Sequence, residues 1–283
     1  MSDVPLPPSH NAQTTGTRSP NHRSITGKLV FLGTGTSHGV PMIGCSCRTC
    51  TSLDPKNHRT RCAVALGLPE GNLLIDTPPE LRLQLLRQGI GVIHAVAYTH
   101  GHADHLFGLD DLRIFPRYLG TEVPVYCEAH VEQIIRRAFA YAFDPEVQDL
   151  PAGGVPRLAF RRLTGEPFEL LGARLIPVRL LHGQAGSLGF RIGNVAYCTD
   201  TKAIPPSSAQ LLQGLEVLIL DGLRHHPHPT HLCIPEALEV IQQLRPRRTY
   251  PTHIAHQLEH HTTNQSLPPG VELAYDGLTI SLI

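Results

Sequence analysis

Long apolar runs are absent from this 283-residue chain, and with them any transmembrane helix, which needs ~20 consecutive apolar residues. The N-terminus also lacks the basic-then-apolar pattern of a secretion signal, so a cytoplasmic protein is expected. Net charge is missing too. The 24 Lys+Arg balance the 24 Asp+Glu, which leaves no global field to recruit nucleic acid or a membrane surface. Only three of the cations are lysines: Lys28, Lys56 and Lys202. There is no dense, even-numbered cysteine framework either. Seven cysteines argue against a secreted disulfide scaffold and for a reducing compartment. Hydrophobic residues at 41% and charged residues at 17% exclude a chain disordered throughout and supply a core for one large domain or two small ones. What the chain holds in excess is histidine, 18 residues.

Residues 1–27 are rich in Pro, Ser, Thr, Asn and His, show no apolar period, and read as a disordered tail ahead of one domain over 28–283. Strand patterns begin at Lys28–Gly33 and recur at Cys62–Leu66, Asn72–Asp76, Ile93–Thr99, Val123–Cys127, Arg174–Leu181, Ser187–Ile192, Asn194–Thr199, Val217–Asp221, Thr249–Thr252 and Val271–Ile283. Helical patterns lie at Pro79–Arg87, His130–Phe143, Ser207–Leu212 and Ile234–Leu244. Strands outnumber helices and include the hairpin through Gly193, which predicts packed sheets with helices outside.

The chemistry-bearing residues follow strands. His100 comes after Ile93–Thr99, His182 after Arg174–Leu181, Asp200 after Asn194–Thr199 and His253 after Thr249–Thr252. The densest signal is Thr99-His100-Gly101-His102-Ala103-Asp104-His105. Side chains at i and i+2 of an extended segment point the same way, so His100 and His102 can grip one ion. A turn after Ala103 would swing Asp104 and His105 towards a second ion. Imidazole with carboxylate suits zinc, manganese or iron. A histidine-rich surface loop would have no reason to place Asp104 there or to follow an apolar strand.

HxHxDH after a strand, followed in order by His182, Asp200 and His253, resembles the metallo-β-lactamase-fold hydrolases. The resemblance implies an α+β fold, an αββα sandwich. It implies that His100, His102 and His182 hold one divalent ion, that Asp104, His105 and His253 hold another, and that Asp200 bridges. Asp76, closing Asn72–Asp76, matches the family's strand-terminal Asp and is expected to orient a ligand histidine.

Cys45-Ser46-Cys47-Arg48-Thr49-Cys50 places three thiols on a short stretch, one ligand short of a tetrahedral zinc site. His256, in Thr252-His253-Ile254-Ala255-His256-Gln257, is the candidate fourth. The other cysteines, Cys62, Cys127, Cys198 and Cys233, read as small buried hydrophobes. Gly33-Thr34-Gly35-Thr36, Gly39-Val40-Pro41, the cysteine cluster and the terminal THxxHQ together resemble the PhnP-type phosphodiesterases, which act on phosphoribosyl cyclic phosphate. That resemblance implies a structural zinc on Cys45, Cys47, Cys50 and His256, two active-site zinc or manganese ions, a small phosphodiester substrate and a homodimer.

His231 and the ligand Asp104 are the candidate catalytic residues. His231 aligns in order with a histidine that PhnP-like and tRNase Z-like enzymes use near the scissile group, and is the candidate proton donor. His38 is a candidate for the mouth of the site. Arg113 reads first as the partner of an Asp and second as a phosphate clamp. Two alternatives stand beside this reading. One is a tRNase Z-like endoribonuclease, disfavoured because the span between His105 and His182 contains no lysine, so that no basic arm is available to hold a polyanion. The other is a non-hydrolytic PqqB-like cofactor-biosynthesis protein, which would carry a degraded ligand set.

Overall fold

The computed structural model describes residues 23–147, 151 and 153–282. Two mixed sheets pack face to face. The first carries β1 (Lys28–Gly33), β2 (Ala63–Leu68), β3 (Gly71–Ile75), β4 (Ala95–Ala97), β5 (Val123–Cys127) and β6 (Leu158–Arg162) in that spatial order. The second carries β7 (Phe168–Leu170), β8 (Ala173–His182), β9 (Ala185–Ile192), β10 (Val195–Cys198), β11 (Val217–Asp221) and β12 (Arg248–Thr252), also in sequence order. A short β13 (Thr279–Ser281) returns to pair with β1. The helices are α1 (Leu81–Gln88), α2 (Ala103–Leu106), α3 (Pro116–Leu119), α4 (Ala129–Ala138), α5 (Pro206–Leu211), α6 (Ile234–Leu244) and α7 (His260–Ser266).

Apolar patterning explains the layers. Phe31, Leu66 and Ile75 of the first sheet meet Leu188, Phe190 and Tyr197 of the second in a core between the sheets. On the outer face of the first sheet, Val30, Leu74 and Val125 pack with Leu81 and Leu85 of α1 and Val131 and Ile135 of α4. On the outer face of the second, Leu180, Ala196 and Leu218 pack with Ala237 and Leu244 of α6. β11 is buried along its whole length because both its faces are covered: Val217 and Ile219 turn inward, Leu218 and Leu220 outward. The result is the expected αββα sandwich. Cys62, Cys127, Cys198 and Cys233 are buried in these layers, where burial pushes the first three thiols up to about 12.

Several sequence expectations shift. The tail boundary drawn at residue 27 moves back, since Ile25 is buried and Thr26 bridges to Gly67 beside β2; residues 1–22 lie outside the described residues. The long strand expected over Val271–Ile283 is broken, and residue 283 lies outside the described residues. Backbone bonds from Glu272 to Thr249 and from Ala274 to Pro251 tie its first part to β12. Asp276 then anchors a turn by accepting from Thr34 Oγ1 and Thr60 N, and only Thr279–Ser281 joins the first sheet. The helix expected over His130–Phe143 stops at Ala138 and continues as a 3-10 turn, Ala140–Phe143. β6 and β7 had no sequence forecast, being short strands at sheet edges whose faces are only partly buried. Among the described residues no helix is long and apolar enough to cross a membrane.

Candidate metal centres

Beyond β4 the chain runs through Tyr98 and Thr99 to His100, stays extended at His102 (φ −71, ψ 152), and then enters α2. His100 and His102 therefore share a side, with ring centroids 4.4 Å apart. The single turn of α2 carries Asp104 and His105 the other way; a short helix does what a plain turn was expected to do. Gly101 between them lies under α4, where an added Cβ would meet Ile134 Cδ1 at 2.5 Å. Three more contributors leave strand ends in the left-handed region: Asp76 (φ 67) after β3, Asp200 (φ 51) after β10 and His253 (φ 58) after β12. That conformation costs a non-glycine residue ~1–2 kcal/mol, and such strain clusters where a side chain must be aimed.

The aim is common to all. His100, His102 and His182 form one group of donors, Asp104, His105 and His253 a second, and His100, His105 and Asp200 a third that links them, the ligand atoms in each lying within 4.8 Å of one another. His182 Nε2 is 3.3 Å from His102 Nδ1. Asp200 sits between the groups, with Oδ2 3.1 Å from His105 Nε2 and Oδ1 3.7 Å from His182 Nε2 and 3.4 Å from His253 Nε2. Asp104 Oδ2 faces His105 Nε2 at 3.4 Å and His253 Nε2 at 3.7 Å.

Hydrogen bonds behind the ligands fix which nitrogen faces inward. The Asp76 carboxylate accepts from Thr99 N, Thr99 Oγ1 and His105 Nδ1, each at 2.8 Å. Because Thr99 Oγ1 spends its proton on Asp76, it must accept from His100 Nδ1, 2.9 Å away. His182 Nδ1 donates to the Thr230 carbonyl at 2.8 Å. In all three rings the Nδ1 proton is committed outward and Nε2 points at the centre. His100 Nε2, His105 Nε2 and both nitrogens of His253 are buried without a hydrogen-bond partner among the described residues. Buried orphaned nitrogens are costly, and a pair of cations would satisfy them; the donor set fits the expected metal pair.

Electrostatics agree. Burial, with the neighbouring His105, pushes His100 well below the usual imidazole range, and burial also lowers His182, so both present lone pairs. Burial opposes charge on His105 and His253 as well, but there Asp200 and Asp104 outweigh it. His105 is raised well above its ordinary value and His253 to about 9. Burial would likewise raise Asp200 and Asp104, and the surrounding imidazoles, His253 and His105 foremost, hold both low. A divalent cation held here would take the place of the protons that the two carboxylates otherwise keep on His105 and His253.

A second cluster lies beside the first. His256 Nδ1 is 3.2 Å from Cys45 Sγ, 3.3 Å from Cys47 Sγ and 3.7 Å from Cys50 Sγ, a closed set of three sulfurs and one nitrogen of the kind that structural zinc selects. The Cys47 thiol is lowered to about 6, chiefly by a backbone hydrogen bond from Cys50, whereas burial raises the Cys50 thiol to about 11 against the hydrogen bond that it accepts from the Met42 amide.

His231 stands at the rim of the metal pocket. Its Nδ1 is 2.7 Å from Asp221 Oδ2, and its ring stacks on His253 with centroids 4.5 Å apart and an interplanar angle of 12°. Asp221 was not singled out from the sequence, although it ends β11 as Asp76 follows β3, so the same strand-end rule could have found it. His38 lines a cleft of about 210 Å³ that runs from His231 to His256. Arg113 is engaged by Asp110 and by the Gly154 carbonyl, the structural pairing. His225 and His226 are exposed, whereas His228 lines the cleft.

Residues 71–254 match the model of the beta-lactamase superfamily domain. A solved structure described as a new diphosphatase from the PhnP family is 43% identical with a TM-score of 0.83, covering 89% of this chain and 96% of that one. An octanoyltransferase of Porphyromonas gingivalis is 36% identical over 255 residues, 89% of this chain but 51% of that protein, so the chain spans about half of its length. A ribonuclease Z of Pyrobaculum calidifontis is 32% identical over 81% of this chain and 86% of that protein. With its fold, its strand-end ligand set and these likenesses, the chain belongs to the beta-lactamase superfamily as a metallo-β-lactamase-fold, PhnP-like protein.

Proposed function

We propose that this protein is a dinuclear metal-dependent phosphodiesterase acting on a small phosphodiester, with a cyclic sugar phosphate or a diphosphate as the substrate class. The observation that carries the reading is the convergence of two three-residue donor groups on Asp200. His100, His102 and His182 would hold one ion, Asp104, His105 and His253 the other, and Asp200 would bridge; zinc or manganese suits these donors. When bound, such a pair supplies a nucleophile at neutral pH and neutralises charge on a phosphoryl oxygen. The remaining tasks fall to the chain. Asp76, Thr99 and the Thr230 carbonyl keep three imidazoles turned inward. Asp221 accepts a hydrogen bond from His231 Nδ1–H, which leaves Nε2 as the ring's proton-transfer atom, from which a proton can pass to the leaving oxygen as the P–O bond breaks and water's oxygen joins phosphorus. Cys45, Cys47, Cys50 and His256 would hold a structural zinc that fixes the wall beside the site. The likeness to a PhnP-family diphosphatase supports the substrate class, the resemblance in sequence supports a homodimer, and the odd, scattered cysteines support a cytoplasmic setting.

The test is metal analysis with a substrate screen: bis(p-nitrophenyl) phosphate, a ribosyl cyclic phosphate, a dinucleoside diphosphate, precursor tRNA and a thioester. Phosphodiester turnover that is lost in His102→Ala, with folding intact by circular dichroism, is the expected result. Full turnover in that variant rejects the mechanism, and cleavage confined to precursor tRNA or to the thioester rejects the substrate class.

A further inference from the structure

A cavity of about 540 Å³ opens beside α7, with Lys56, Arg248, His260, His261 and Asn264 in its walls. Arg248 begins β12 and His253 follows its last residue, so the strand places the cavity roughly 17 Å from the metal pocket. Neither Arg248 nor His261 has a hydrogen-bonding or ion-pair partner for its side chain among the described residues. The Lys56 ammonium rests over the Tyr275 ring, 4.6 Å from its centroid. Glu272 is the one carboxylate in the lining. Glu259, beside His260 in sequence, is turned onto Asn57 and the Thr262 amide. Positive charge therefore exceeds negative around this space.

His260 is only 2% exposed, and donors approach both of its ring nitrogens. Arg59 Nη2, which can only donate, lies 3.2 Å from Nδ1. Asn264 Oδ1 accepts from the Leu273 amide at 2.8 Å, so the atom 3.2 Å from His260 Nε2 is the Asn264 amide nitrogen, again only a donor. A neutral imidazole has one acceptor nitrogen for these two donors. Burial, with the Arg59 and Lys56 cations, lowers His260 to about 4, so the ring is neutral. The charged donor makes the stronger bond and claims Nδ1. Arg59 is itself fixed there, because its Nη1 donates to Thr34 Oγ1 and to the Ala274 carbonyl. The ring proton then sits on Nε2. Two N–H groups, of His260 and Asn264, thus face each other in the cavity wall with no acceptor between them, an arrangement that costs free energy until an acceptor arrives.

We infer that this cavity is a binding site for a phosphate monoester, separate from the metal pocket, with one phosphoryl oxygen accepting from both His260 Nε2–H and Asn264 Nδ2–H. Arg248 and Lys56 balance the charge of the dianion. The volume exceeds what a bare oxyanion fills, and Leu267, Pro268 and Val271 wall the remainder, which suits an apolar body on the ester.

The chain has no tryptophan, so Pro269→Trp, at the exposed rim of the cavity, supplies a fluorescent reporter of this site alone. Cyclohexyl phosphate, cyclohexanecarboxylate and cyclohexanol are titrated into the zinc-loaded full chain. The phosphate ester is expected to change the emission saturably and to bind tenfold or more tightly than the carboxylate, with cyclohexanol silent. Arg248→Gln should weaken it about tenfold, the range of one hydrogen bond to a charged group. Asn264→Asp should keep the Leu273 bond, accept from His260 itself and abolish binding, while the midpoint of thermal unfolding stays or rises. A response to the carboxylate or cyclohexanol equal to that of the ester overturns the inference, as does binding that survives Asn264→Asp. A second measurement covers a reporter that blocks the cavity: in the unmodified chain, cyclohexyl phosphate should slow amide hydrogen exchange over residues 260–272. Unchanged exchange together with a silent reporter overturns the inference. None of these readouts depends on turnover, so they stand apart from the phosphodiesterase reading.

Discussion

Asp76 shows how one buried side chain can govern a site it does not enter. Fully enclosed, it collects three hydrogen bonds, one of them from His105 Nδ1. Burial raises its carboxyl, and the charge and hydrogen bond of His105 pull against that rise. Replacement by Asn would keep the shape and remove the charge. An amide nitrogen turned towards His105 Nδ1 would favour the wrong ring tautomer and withdraw Nε2 as a lone-pair donor. Asp76→Asn is therefore expected to weaken binding at the Asp104–His105–His253 group by about 10–100-fold, read by competition with a chromogenic chelator. Unchanged affinity would show that the tautomer of His105 is set elsewhere. The left-handed backbone at Asp76, Asp200 and His253 belongs to the same scale: each residue is held in an unfavourable conformation because its side chain has to leave the strand end in a particular direction.

The segment after β1 is the element that most needs an explanation beyond packing. Residues 34–54 form no regular helix or long strand, and Ile43 and Leu53 stand almost wholly exposed on it. Its order comes from three tethers. Gly35 bridges to Ile254 and Val40 to Arg59, and the three cysteines close on His256. Loss of the sulfur cluster would remove a tether that spans more than 200 positions of sequence, where a cross-link constrains the unfolded chain most. Cys47→Ser is expected to lose one equivalent of zinc and to lower the midpoint of thermal unfolding by ~10 °C, the shift that several kcal/mol produce in a chain of this size. An unchanged midpoint and metal content would remove the structural zinc from the proposal. Because Met42 and His256 also line the cleft beside His231, this element connects stability to the shape of that cleft.

At the scale of the whole molecule, both candidate metal-binding clusters lie across the sandwich instead of within one sheet. β3 and β4 of the first sheet lead to Asp76, His100, His102, Asp104 and His105, while β8, β10 and β12 of the second lead to His182, Asp200 and His253. The cysteine cluster follows β1 and its histidine follows β12, which repeats the arrangement. Bound ions would staple the two layers at one edge, adding to the apolar core that joins their faces. Metal addition to chelator-stripped protein is expected to raise the unfolding midpoint in a concentration-dependent way, by RT ln(1 + [L]/Kd), which is about 4 kcal/mol at a thousandfold excess over Kd. The shift should appear in one cooperative transition, followed by calorimetry. A midpoint indifferent to metal would place the ions, if bound, outside the fold's linkage between sheets.

The sequence by itself determined the kinds of donor, their spacing in HxHxDH and CxCxxC, and the habit of placing them after strands, because each is a property of a few consecutive residues. It also carried the layered architecture, through apolar runs such as that of β11. Which donors meet was decided only by the tertiary structure. Asp200 reaches His100 and His253 across dozens of residues, Asp221 claims His231, and Thr230 serves His182 and His228 together. The pairing of distant strands sets those neighbours. So does the burial that commits each ring proton to one partner, and neither leaves a periodic trace along the chain.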